Sequence, residues 1–344
     1  MPVSSDSGSG IELLTSWFAP WAGQKVLVVG LGEGGFALAD TLAELGATTQ
    51  VLFAGEDSDR STILGVLGVD VHSVASEAEI AAAALTLRPD LVVISPDWHP
   101  DLEVEKQLWA SGLTVWSDVE FSWRVADKHG VRPDIVLCAG GQRSLVVADV
   151  AQKFLLHASF KAARGGYGAP SMLDAFRHPD GIDVALWTLS DRQLWRMGTQ
   201  ESSQRRPRVS LYFQPAEDAD PETLQALYSH TRESCLYQPG TASETALHEA
   251  SVVEGARAIG IVRDTPGMSD LGRVDEVICD RAFLPDRKDR ALELCTVEEL
   301  VAAGFSTPEL VEVAIAALGV GRALDVAPEV LGGALLLGDW PEQK

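Results

Sequence analysis

The run Lys25-Val-Leu-Val-Val-Gly30 passes directly into Leu-Gly32-Glu33-Gly34-Gly35 and then into an Ala/Leu-rich stretch that ends at Leu45. A short unbroken aliphatic run bounded by glycine reads as a strand buried on both faces. Strand, glycine turn and helix in that order open a parallel α/β sheet, because only a crossover helix returns the chain to the same edge. Gly30, Gly32 and Gly35 carry the G-x-G-x-x-G spacing in its proper context, so backbone N–H groups at the helix start are placed to receive a phosphate. Tight packing of helix on strand is the alternative use of the same glycines. Gly46 stops the helix, and further strands are expected at 48–53, 69–72, 90–94 and 114–116, with helical patterns between them.

A nicotinamide dinucleotide site would also need a carboxylate at the end of the second strand, to hold a ribose. That place reads Phe53-Ala54-Gly55, and Glu56 and Asp57 come slightly late, so an NAD(P)-dependent oxidoreductase is a minor alternative. Glu33 within the loop also disfavours a nearby anion. Ile94-Ser95-Pro96-Asp97 follows the fourth strand, where ligands of open parallel sheets collect. Ser95 and Pro96 form a second candidate ligand loop, and a plain Ser-Pro turn is the competing reading. Further on, Ser117 or Asp118 suits the N-cap of a helix. The polar, turn-rich stretch 128–134 (KHGVRPD) marks a domain boundary.

Strand, loop and helix then recur at 135–138, Ala139-Gly140-Gly141-Gln142-Arg143-Ser144 and 145–156. A working phosphate loop has the pattern G-x-x-x-x-G-K-S/T, in which lysine neutralises phosphate and the hydroxyl binds magnesium. Gly140 to Ser144 make a shorter loop with Arg143 in place of lysine. A planar guanidinium does not substitute for a compact ammonium in a tight backbone cradle.

The length of 344 residues fits two domains. Fifty acidic residues against 27 basic ones give a net charge of −23, which argues against nucleic acid and anionic membranes as partners. The Ser/Gly-rich start lacks the basic and apolar segments of an export signal, and no apolar run is long enough to span a membrane, so a cytoplasmic location is expected. Residues 1–20 read as a flexible start with a short helix at 11–18, and order is expected from near Lys25. Cys138, Cys235, Cys279 and Cys295 are widely separated and read as buried thiols. His99, His129, His157, His178, His230 and His248 show no metal-ligand spacing, so no metal site is expected.

The chain resembles the Mur ligases over roughly residues 20–335, nearest the actinobacterial D-glutamate-adding branch of that family. The resemblance is densest in GLGEGGFALADTLAELGA, LVVISPDWHPDL, VWSDVEFSWR and VVEGARAIGI through DRAF. It implies a Rossmann-like domain for a UDP-linked cell-wall precursor (21–130) followed by a P-loop-like central domain (131–340). The family's C-terminal domain would begin close to Lys344, and its absence from this polypeptide is the expectation. Gly30, Gly32, Gly35, Ser95 and Pro96 match the substrate loops, whereas the family's loop Ser/Thr is Gly34, its strand-end carboxylate is Phe53 and its Ser-Pro-Gly ends in Asp97. In the central domain T-G-T-N-G-K-S/T-T corresponds to residues 138–145, so the lysine is missing. The magnesium-binding Glu falls on Thr188, the D-H-L-D acids on Glu217 and Asp218 without a histidine, and the segment of the carbamylated lysine on His230-Thr231-Arg232. The adenine-holding helix start reads Ser306-Thr307-Pro308-Glu309-Leu310, with no amide. The resemblance therefore implies a non-catalytic homologue of peptidoglycan precursor metabolism that binds a UDP-linked precursor or a cell-wall synthesis protein. No catalytic residue and no cofactor is expected. ATP and magnesium enter only under the alternative of a functional ATP-dependent UDP-N-acetylmuramoyl-L-alanine:D-glutamate ligase, with or without a separate subunit to complete it.

Overall fold

The computed structural model describes residues 10–200, 202, 204–213 and 220–337. The chain separates into two compact units. One runs to Arg132 and takes in Ser171–Asp180, and the other comprises Pro133–Pro170 and the chain from Gly181 onward.

In the first unit β1 (Lys25–Val29), β2 (Thr48–Ala54), β3 (Asp70–Val74), β4 (Leu91–Ile94) and β5 (Val115–Ser117) alternate with α1 (Glu33–Glu44), α2 (Ser58–Val66), α3 (Ile80–Leu87) and α4 (Leu102–Trp109). Helix α5 (Asp118–Arg124) follows β5. All pairings are parallel and the order is β3-β2-β1-β4-β5. Val26 to Val29 of β1 are wholly buried, as a central strand covered on both faces must be. The strand order reverses between β1 and β4. The turns after these two strands therefore share the crevice at the carboxyl edge where the crossovers diverge.

The expected strands are present, with ends shifted by one or two residues. Two expectations at the start of the chain are corrected. A 3-10 turn at Gly10–Leu13 stands in place of the helix expected over 11–18. Asp127 accepts from the Trp17 N–H at 2.7 Å and from Ser16 Oγ at 2.6 Å, drawing the backbone into turns that compete with a helix. Order also begins well before Lys25. Ile11, Leu14 and Trp21 are buried, Trp21 packs edge-on against Phe121 with centroids 5.5 Å apart, and Arg124 donates to the Leu14 carbonyl at 2.9 Å. Ser117 is the cap of α5, accepting from the Glu120 N–H, while Glu120 forms a buried 2.7 Å pair with Arg124. Capping alone thus does not account for the acids of that segment.

In the second unit the strands are β6 (Asp134–Ala139), β7 (Ala162–Gly166), β8 (Val184–Leu189), β9 (Val209–Tyr212), β10 (Ser234–Tyr237), β11 (Arg257–Ile261), β12 (Asp270–Val274), β13 (Val277–Asp280) and β14 (Leu292–Thr296). The helices are α6 (Gly141–His157), α7 (Asp191–Thr199), α8 (Pro221–Tyr228), α9 (Ala242–Glu249), α10 (Val297–Ala302), α11 (Pro308–Ala323) and α12 (Pro328–Leu337). The sheet order is β14-β13-β12-β11-β10-β9-β6-β8-β7, parallel from β7 to β12 and antiparallel across β12, β13 and β14. Helices α6 and α11 lie in one core with the parallel strands, through Val147, Phe154, Ala314 and Leu318 against Val136, Leu211 and Ile259. Gly319 lets α11 approach the sheet closely, since a Cβ there would come 3.0 Å from Leu236 Cδ2. The chain crosses from β6 outward to β7 and later from β8 back to β9, so the turn after β6 lies at this sheet's own switch point.

All four cysteines are free and buried, as the sequence suggests, and burial pushes the Cys138 thiol up to about 12. Trp187 is fully buried, whereas Trp195 is half-buried with the Arg192 guanidinium 5.9 Å from its ring centroid.

Candidate functional site

The turn after β1 is shaped by contacts that only glycine permits. Gly30 has φ of 97°, and a Cβ there would lie 2.8 Å from Trp98 Cβ and 3.1 Å from Ser95 Cβ. A Cβ on Gly35 would be driven into the Gly30 carbonyl, its carbon 2.9 Å away, so the helix starts directly against the end of the strand. Gly30, Gly32, Gly35, Ser95 and Pro96, expected together from separate loops, are brought together. The carboxylate of Asp97 joins them. Its Oδ2 accepts from the Gly34 N–H at 2.6 Å and the Gly35 N–H at 3.4 Å, and the Asp97 N–H donates to Ser95 Oγ at 3.2 Å. The first N–H groups of α1, orphaned by helix geometry and lying at the positive end of its dipole, thereby hold an anion supplied by the chain. The fit leaves no gap: a Cβ on Gly32 would sit 2.5 Å from Asp97 Cγ, and one on Gly34 would sit 2.7 Å from Pro96 Cδ.

At the next strand end Phe53 is buried, and Asp57 is spent as the cap of α2, accepting from the Arg60 N–H at 2.9 Å and pairing with Arg60 Nη1 at 2.7 Å. These bonds hold the Asp57 carboxyl below the ordinary range. The Arg60 guanidinium is raised in turn, first by its hydrogen bond to Asp57 and then by the charges of Asp57, Glu33 and Asp97. A ribose-binding carboxylate is thus not offered by Asp57.

The turn after β6 is tighter than its sequence suggests. Helix α6 begins at Gly141 and not at 145, so Gly140 alone lies between strand and helix. Its φ of 120° reverses the chain in one step, and a Cβ there would stand 2.5 Å from the Phe213 carbonyl oxygen. The Phe213 N–H in turn donates to the Ala139 carbonyl at 2.9 Å. Gln142, Arg143 and Ser144 are residues of the helix's first turn, and buried Ser144 turns its hydroxyl onto the Gly141 carbonyl at 2.7 Å.

Arg143 faces α11. Its Nη1 lies 3.9 Å from Glu312 Oε2, a charge contact longer than a hydrogen bond, while Arg263 Nε holds the other carboxylate oxygen at 2.5 Å. Burial pushes the Glu312 carboxyl above its ordinary range, and Arg263 and Arg143 offset this only in part. Helix α11 begins at the segment aligned with the family's adenine site, where Thr307 caps it by accepting from the Leu310 N–H at 3.3 Å. Thr188 is fully buried and donates its hydroxyl to the Tyr167 carbonyl at 2.5 Å, so that hydroxyl is committed to the backbone. Ser190 and Gln193 form a capping box for α7. Thr231 shares a 2.8 Å hydrogen bond with Ser210, and Arg232 pairs with Asp134 at 2.9 Å. Glu217 and Asp218 lie outside the described residues. Among the described residues, no group of three or more His, Cys, Asp or Glu is placed to hold a metal.

Sequence reading misses Asp97 as a cap and Glu312 altogether. The signal for Asp97 is the acid in a Ser-Pro loop whose strand neighbours β1. For Glu312 it is a single acid in the otherwise apolar run Val311 to Leu318.

Two α/β units, each with a glycine turn after an interior parallel strand at its switch point, define a two-unit α/β protein of the doubly wound class. No family model matches the chain. It is 37% identical over 344 aligned positions, 94% of this chain and 66% of the relative, to the UDP-N-acetylmuramoylalanine--D-glutamate ligase of Leifsonia xyli subsp. xyli. The protein of the same name from Tropheryma whipplei (strain TW08/27) is 28% identical over 95% of this chain and 69% of its own length. Among solved structures, the murein peptide ligase of Psychrobacter arcticus 273-4 has the same fold, with a TM-score of 0.53 at 15% identity over 92% of this chain and 68% of that one. The chain belongs to the Mur ligase family, and it spans about two thirds of the length of these relatives.

Proposed function

We propose that this chain is a non-catalytic member of the Mur ligase family, acting in cytoplasmic peptidoglycan precursor metabolism by recognition of a UDP-linked precursor or a pathway protein. The observation that carries this reading is the single-residue turn at Gly140. A phosphate loop works by wrapping successive backbone N–H groups around the β- and γ-phosphates, with a lysine ammonium among them. One residue between strand and helix leaves no such wrap, and the Phe213 peptide lies where a side chain on that residue would project.

The residues present do not fit ATP and magnesium. Arg143 is turned to Glu312, Ser144 spends its hydroxyl on its own helix, and Thr188 supplies no charge for a divalent ion. Phosphoryl transfer is accelerated chiefly by preorganised positive charge around the transferring group, and this constellation lacks it. Among the described residues no helix is long and apolar enough to cross a membrane. The test is a phosphate-release assay with ATP, magnesium, D-glutamate and UDP-N-acetylmuramoyl-L-alanine, run beside the Leifsonia xyli relative. No phosphate above background is expected from this chain. Release at a rate comparable to the relative's, abolished by Arg143→Ala, would replace the proposal with that of a functional ligase.

A further inference from the structure

We infer that Asp97 is a built-in substitute for a ligand phosphate, which closes the glycine loop of the first unit to diphosphates. This rests on the reading above and narrows it, by removing the diphosphate as a handle for any ligand of that unit. Three observations converge. The Asp97 carboxylate already occupies the Gly34 and Gly35 N–H groups, and these are the donors that a phosphate at the start of α1 would need. The space is filled as well as the charge, because Pro96 and Asp97 lie so close to Gly32 and Gly34 that neither position has room for a Cβ. The surrounding field reinforces the exclusion: Glu33 stands at the first turn of the same helix, and the nearby cation Arg60 is already paired with Asp57.

Residues 34 and 97 depend on each other. A side chain at 34 would collide with Pro96, so an aspartate loop can settle on the helix start only while residue 34 is glycine. Gly34 and Asp97 are the places where the substrate loops depart from the Mur ligase pattern at Ser/Thr and Gly. The contact makes these two departures a single structural change.

The test is calorimetric titration of uridine 5′-diphosphate into the 344-residue chain and its variants, with thermal melts confirming that each is folded. Asp97→Gly, and Gly34→Ser/Asp97→Gly together, are expected to tighten uridine 5′-diphosphate binding by roughly tenfold or more over the parent. Asp97→Asn, which keeps the shape and fills the same space, is expected to gain much less. Where Asp97→Gly does not fold, Asp97→Ser retains a short acceptor for the helix start and is judged by the same criterion. Parent binding as tight as that of Asp97→Gly overturns the inference, and so does a folded Asp97→Gly that gains nothing. The proposed loss of phosphoryl transfer concerns residues of the second unit only, so it is read separately from ATP titrations of the same proteins and stands or falls independently.

Discussion

The turns after β1 and β6 both lie at the switch points of their sheets, yet they differ in how the following helix starts. The first retains its glycine geometry and its helix-start donors, and one acidic side chain from the neighbouring strand end satisfies those donors. In the second, helix α6 starts one residue after the strand, and the arginine at the lysine position faces a buried carboxylate on α11. In the proposed reading the first turn is occupied and the second is collapsed. On that reading occupation should be reversible by a single substitution, whereas collapse would need a longer loop.

The largest effects should come from filling the glycine contacts that touch backbone. Gly140→Ala combines a positive φ with a collision against the Phe213 peptide, and Gly35→Ala is driven into the Gly30 carbonyl. Each is expected to cost about 3 kcal/mol in urea denaturation. Gly34→Ala meets the Pro96 ring, which can shift, so a loss nearer about 1 kcal/mol is expected. Equal losses at 34 and 35 would mean that the β4 loop is as rigid a partner as the β1 backbone.

Asp97→Ala, which removes the anion at the start of α1, should lower stability by about 1 kcal/mol in the same measurement. Arg143→Lys sharpens the contrast from the other side, by restoring the ammonium without restoring the loop. No ATP affinity is expected from it by calorimetry. Micromolar binding would show that the missing charge, and not the one-residue turn, is what disables the second loop.

The smallest effect concerns Glu312. Its carboxyl is raised by burial from an ordinary value of 4.5, so the folded chain holds this proton more tightly than the unfolded chain does. Its contribution to stability is therefore complete below about pH 4.5 and is lost as pH rises through the raised value. Glu312→Gln should remove that decline, giving a flatter dependence of the urea midpoint on pH between acid and neutrality. A steeper dependence would mean that the Arg263 and Arg143 pairs outweigh the desolvation.

The parallel α/β character is legible because buried strands such as KVLVV leave unbroken aliphatic runs, and because glycine marks the turns between strand and helix. The grouping of Gly30, Gly32, Gly35, Ser95 and Pro96 is legible from the family resemblance, and strand position adds only that both loops end at a carboxyl edge. What escapes are side chains whose partners are distant in sequence. Asp97 meets Gly34 only because β1 and β4 are neighbours, and Glu312 meets Arg143 only because α11 packs on α6. The early start of α6 escapes because two adjacent glycines give no indication which of them makes the turn. The start of the chain reads as a short helix at 11–18 with order from near Lys25, although Ile11, Leu14 and Trp21 are already buried ahead of that point.

The most direct test is calorimetric titration of ATP with magnesium into the 344-residue chain, first alone and then with UDP-N-acetylmuramoyl-L-alanine present. No binding heat in either titration is the predicted result of the proposed reading, in which the turn after β6 offers no cradle for the ATP phosphates. Saturable ATP binding, or precursor binding that tightens when ATP is added, would contradict the account.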